Sequence, residues 1–107
     1  MTDQELLELA AKAAGVGGKV RAIQKLYSHD YEIGVGKHRW NPLTNDGDAL
    51  RLAVKLGLRI EINTQVLGDT LVISEFYDNV ECHNSDPYAA TRRAIVRAAA
   101  LIGKEMK

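Results

Sequence analysis

A single cysteine, Cys82, excludes an internal disulfide framework and suits a reducing compartment. No apolar run approaches the roughly 20 residues of a membrane-spanning helix, so no membrane role is expected. Net charge is missing as well, because fourteen basic residues balance fourteen acidic ones. No global field draws the chain toward nucleic acid or an anionic membrane, and any such role must come from a local patch. Aromatic residues are only 6% of the chain, which further argues against nucleic-acid binding. The opening "MTDQELLELA" is acidic and amphipathic, with no basic segment ahead of an apolar one, so no secretory signal is expected. G-x-S-x-G, H-E-x-x-H and comparable catalytic signatures are absent, as are internal repeats and low-complexity tracts. These absences lean away from an enzyme and toward a cytoplasmic protein.

What is present reads as one domain over residues 1–107. That length is near the usual size for a single core, and 46% hydrophobic with 26% charged residues is ordinary for a soluble globular chain. Thr2 with Glu5 predicts a capping box opening a helix from Asp3 to about Ala14. Leu6, Leu9 or Ala10, and Ala13 supply its apolar stripe, Glu8 and Lys12 an outer pair four residues apart, and Gly15 its left-handed end. Gly15, Gly17 and Gly18 before Lys19 lack the spacing of a phosphate-binding loop, and Val20 stands where its hydroxyl belongs, so a flexible connection is expected. Val20 to Tyr27 and Tyr31 to Val35 are candidate strands around a Ser28-His29-Asp30 turn.

A second helix ends at about Leu56, closed by Gly57. "LRIEINT", residues 58–64, alternates as a half-buried strand with Leu58, Ile60 and Ile62 on one face. Gly68-Asp69 predicts a turn, "TLVISEFY" a returning strand, Asp78-Asn79 another turn, and "VECH" a short third strand. Asp86 and Pro87 suit the N-cap and first position of a last helix, whose apolar face runs through Tyr88, Ile95, Ala98 or Ala99, and Ile102. Its alanines allow close approach to a sheet or a neighbouring helix. The whole is an α+β fold: an α-β-α sandwich with a small, mainly antiparallel sheet and about three helices packed on it.

"WNPLTNDGDALRLAVKLGL", residues 40–58, carries the densest chemistry. Asn45, Asp46 and Asp48 around Gly47 resemble part of a calcium loop. A ligating twelfth residue is missing, however, because that position is Leu56 or Gly57, and the glycine comes too early. Helix-start chemistry accounts for the same residues: Thr44 or Asn45 accepts backbone N–H bonds, and both aspartates favour the positive end of the helix dipole. Trp40 either packs the loop onto the core or floors a ligand pocket beside His38 and Arg39. His29, His38, His83 and Cys82 lack the paired spacing of a zinc site, so no metal and no cofactor is expected. Arg93, Arg97 and Lys104, with Arg92 beside them, form a basic stripe on the last helix, as Arg51 and Lys55 do on the second. The stripes either solvate helix faces or bind phosphate groups or an acidic partner.

Two segments together, "WNPLTNDGDALRLAVKLGLRIEI" and "DPYAATRRAIVRAAALIGKEM", resemble the phage ABA sandwich domain family of bacteriophage and prophage proteins. The likeness extends weakly to "DQELLELAAKAAG". It implies an α-β-α sandwich and a product acting in the cytoplasm of a bacterial host, and it brings no reaction, cofactor or catalytic residue. The resulting expectation is a phage or prophage accessory protein, a non-enzymatic binding module for a host or phage protein or a small anionic ligand, with anti-defence action as one outcome. Trp40, His38, Arg39, Arg92, Arg93 and Arg97 are the candidate binding residues. Two alternatives remain: a small hydrolase using Asp46, Asp48 and His38, or weak nucleic-acid binding through the arginines. The alanine-rich last helix and the nearly all-round apolar second helix also leave room for a homodimer face.

Overall fold

The computed structural model describes residues 2–15, 20–22, 31–35, 38–63, 68–74 and 78–106, with the backbone alone at 20–22, 31–35 and 38–39. Among them are three helices and two three-stranded antiparallel sheets, an α+β arrangement with helices packed on sheet. No helix among the described residues is long and apolar enough to cross a membrane.

Helix α1 (Asp3–Ala14) starts on the expected capping box: the Thr2 hydroxyl accepts the Glu5 N–H, and the Glu5 carboxylate accepts the Thr2 N–H. Gly15 ends it at φ 67°. Its buried stripe is Leu6, Leu7, Ala10, Ala11 and Ala14, so Ala14 replaces the expected Ala13, which is only half-buried. Glu8 and Lys12 also depart from the expected pairing. Glu8 accepts from Gln4, and Lys12 reaches the Met106 carbonyl at 2.7 Å, because the end of the last helix passes close by.

Strands β1 (Val20–Ala22), β2 (Tyr31–Val35) and β3 (His38–Trp40) pair in that order, with Ile33 opposite both Val20 and Trp40. β2 has the expected bounds, whereas β3 is a strand that the imperfect alternation does not announce. The Gly17-Gly18-Lys19 connection, the extension of β1 to Tyr27 and the Ser28-His29-Asp30 turn lie outside the described residues.

Helix α2 (Asp46–Leu56) is followed by β4 (Arg59–Asn63), β5 (Asp69–Ile73) and β6 (Asp78–Cys82), in sheet order β4-β5-β6. Val72 lies between Ile60 and Asn79 in the register. Asp78-Asn79 is therefore not the expected turn but the start of β6. The pair has poor strand propensity, yet the ladder with β5 outweighs it and turns Asn79 inward, where it is buried.

Helix α3 (Pro87–Glu105) is the hub. Asp86 caps it by accepting the N–H groups of Tyr88 and Ala89. It packs on β5, β6 and α2, and most extensively on α1, while α1 also touches β1 and β2. Ala94, Ala98, Ala99 and Ala100 let its neighbours approach, and Leu7, Trp40, Leu52, Val72 and Val96 fill the core around them. Tyr88, expected on this apolar face, stands out in solvent instead.

One polar connection crosses the core. The buried Thr70 hydroxyl lies 2.7 Å from His83 Nε2 and 2.8 Å from the Thr91 hydroxyl, tying β5 to α3 and to the residue after β6. Thr70→Val keeps the shape but removes both bonds. It is expected to cost about 1–3 kcal/mol, read as a lower urea midpoint with an unchanged slope.

Candidate functional site

The turn from Trp40 to Asp48 is held by its own polar groups. Asp48, fully buried, accepts the Asn41 N–H at 2.9 Å through Oδ2 and Arg51 Nη2 at 2.8 Å through Oδ1. Its own N–H donates to Asn45 Oδ1 at 2.9 Å, the N-cap bond expected of this position. Asn41 in turn accepts the Leu43 N–H on its side chain and the Asn45 N–H on its carbonyl. A Cβ on Gly47 would meet the Arg51 guanidinium at 3.1 Å and Asn45 Oδ1 at 3.2 Å, so both side chains would have to give by a few tenths of an ångström. The "DGD" run is thus a crowded helix start.

Of the candidate hydrolase residues, the two aspartates are not brought together. Asp48 faces the interior, while Asp46 faces solvent and binds Arg92 Nη1 at 2.6 Å. His38 and Arg39 lie on β3, and their side chains lie outside the described residues. Trp40 ends β3 as part of the core, with 7% of its surface exposed. Cys82, the last residue of β6, is exposed, and His83 just beyond the strand is buried, so the two neighbours face opposite ways. Among the described residues no group of three or more His, Cys, Asp or Glu side chains gathers as a metal site would.

The basic stripe of α3 is divided among three neighbours. Arg92, with little exposed surface, donates through Nε to the Leu43 carbonyl at 2.8 Å and through Nη1 to Asp46. Arg93 binds Asp3 at 3.1 Å, and Arg97 binds Glu81 at 2.9 Å. These contacts clamp α3 to the starts of α2 and α1 and to β6. The two half-exposed pairs contribute little to stability, about 0–1 kcal/mol each. Arg92, with two bonds in a sheltered position, contributes more.

Two concavities flank α3. One, about 330 Å³, is lined by Leu6, Asn79, Glu81, Arg93, Arg97 and neighbouring α3 residues. Beside it Asn79 carries a buried side-chain nitrogen with no hydrogen-bond partner among the described residues. The other, about 370 Å³, runs between α2, β4 and α3 and is walled by Ala49, Leu50, Ile60, Ile62, Tyr88 and Ile95. Leu50 is 62% and Tyr88 71% exposed, so the rim of this groove presents large side chains to water.

This groove is what the residue patterns missed. Leu50 and Val54 fall one helical turn apart, off the buried Ala49, Leu52 and Ala53 stripe. Leu50 and Val54 were themselves the available signal, because apolar residues one turn apart outside the buried stripe of an amphipathic helix offer that side to something else. No known family model, curated protein or solved structure matches this chain, so what it does has to be read from its own residues.

Proposed function

We propose that the protein is a non-enzymatic binding module whose groove between α2, β4 and α3 takes an apolar segment of a partner protein. In the setting that the family resemblance implies, it is a phage or prophage accessory factor in the bacterial cytoplasm, and the partner is a host or phage protein. The observation carrying this reading is the exposure of Leu50, Ile62 and Tyr88 around one groove, with Asp46 and Arg92 at its rim. Apolar anchors beside a polar pair are the usual composition of a small recognition surface. Against the hydrolase alternative stands the separation of Asp46 from Asp48.

The test is capture from bacterial cytosol. The protein is expected to retain a partner that the double variant Leu50→Asp, Tyr88→Ala loses, while Arg93→Ala retains it. Both groove positions are exposed, so circular dichroism should show an unchanged fold. Equal capture by the groove variant removes the reading.

A second reading, a small anionic ligand in the cleft by Arg93 and Arg97, is favoured by one observation. Asn79 has a buried, unpartnered amide nitrogen there, and each guanidinium has donors to spare beyond its single ion pair. Such a ligand would survive into native mass spectra and would be lost with added salt and with Arg93→Ala. Groove variants would leave it in place.

A further inference from the structure

We propose that β4 is the interface of a twofold-symmetric homodimer in which two copies join their sheets edge to edge into one of six strands. β4 is an outer strand of the β4-β5-β6 sheet, and among the described residues nothing pairs with its free side. Its sequence is nearly self-complementary. For two copies related by an axis normal to the sheet, facing residues must come from the same face, so the axis can only pass through a residue. An axis at Arg59 sets Arg59 against itself, and one at Glu61 sets Glu61 against itself; both are repulsive. An axis at Ile60 pairs Arg59 with Glu61 twice and Leu58 with Ile62 twice, and sets Ile60 against Ile60. An axis at Ile62 would set Glu61 against Asn63, so of the axes through β4 only the one at Ile60 brings opposite charges face to face, and apolar surface agrees with it.

The surroundings favour the same occupant. Arg59 and Glu61 are exposed, share the face away from the helices, and already lie 3.6 Å apart within one chain. A second copy would convert these two pairs into a four-membered network. The opposite edge offers no such match: β6 brings Asp78 and Glu81 and no basic residue, so no register there sets opposite charges face to face. A five-residue ladder alone falls short of the ~1,000 Å² expected of a specific interface. The apolar remainder is available on the same flank. Leu58 and Ile62, facing each other twice across the axis, add apolar surface beside the ladder, while Leu50 and Tyr88 on the helices stay open to the groove's own partner. The twofold axis would bring the two grooves side by side, since Ile60 and Ile62 wall them.

The test is the mass in solution of the wild type and charge-reversed variants, by light scattering after gel filtration. The wild type is expected at twice the 11.8 kDa of one chain. Arg59→Glu alone sets acids against acids and Glu61→Arg alone sets bases against bases, so each is expected at single-chain mass. The double reversal restores both pairs and the dimer. Mixing the two single variants should also yield a dimer, because every facing pair is then opposite in sign. A monomeric wild type, or a dimer indifferent to the single reversals, overturns the proposal. Arg59 and Glu61 point away from the groove, so partner capture by the single variants separates failure here from failure of the binding reading.

Discussion

Gly103→Ala is expected to lower the thermal midpoint by ~10–20 °C, the equivalent of roughly 2–4 kcal/mol in a domain of this size. Ordinarily the same change inside a helix stabilises by about 1 kcal/mol, because alanine has far the better helix propensity. The sign is reversed here by α1. A Cβ on Gly103 would run into the Leu9 carbonyl oxygen and stand 2.8 Å from its carbonyl carbon. Those atoms are main chain inside a hydrogen-bonded helix, so no rotamer change relieves the clash, and α1 must back away from α3 along their most extensive contact.

The separation cannot be confined to one residue. Leu6, Leu7, Ala10 and Ala14 on α1 and Ala98, Ala99 and Ala100 on α3 are all buried in the same core. Close-packed interiors lose dispersion contacts over gaps too small for water. Leu9→Ala is expected to give no rescue, since the obstacle is the backbone and not the side chain. Thermal denaturation of Gly103→Ala, Leu9→Ala and the double variant decides the matter: a rise in midpoint for Gly103→Ala would mean the helices are not in contact there.

The close approach was half legible in the residues. Alanine-rich composition in α3 announces a helix that something lies against, but it does not say which neighbour. The helix limits were readable for a local reason: the Thr2–Glu5 capping box, Asp86-Pro87 and the glycines at 15 and 57 act within one turn of where they stand. β4 was readable because strict alternation has only one pleated solution. The Asp78-Asn79 pair misled because turn chemistry is a local preference, and β5 imposed a ladder that local preference cannot anticipate. The arginines were legible only in part. Spacing along a helix places Arg93 and Arg97 on one face, but the acids that meet them come from residues 3 and 81. In three dimensions each of these arginines also holds a neighbouring element to α3.

Asp48 is the residue for which sequence and structure give the most different expectations, and its substitution yields the second large effect. As one of two acids at a helix start, it would contribute only a few tenths of a kcal/mol to about 1 kcal/mol through the helix dipole. Buried as it is, its loss leaves the Asn41 N–H without that acceptor in a place water does not reach. Asp48→Ala is therefore expected to cost roughly 2–4 kcal/mol. Arg51 is mostly exposed and can turn to water, so Arg51→Ala should cost under about 1 kcal/mol. Asp48→Asn falls between: its amide oxygen can keep the Asn41 N–H, but its NH2 then faces the Arg51 donors. The expected order of destabilisation is Asp48→Ala, Asp48→Asn, Arg51→Ala, measured by chemical denaturation. A catalytic carboxylate would behave in the opposite way. Active-site groups are commonly kept at some cost to stability, so neutralising one leaves the fold as stable or more so. A rise in stability for Asp48→Asn would return Asp48 to the list of reactive groups; a loss in the stated order makes it the pin that holds the Trp40–Asp48 turn against the core.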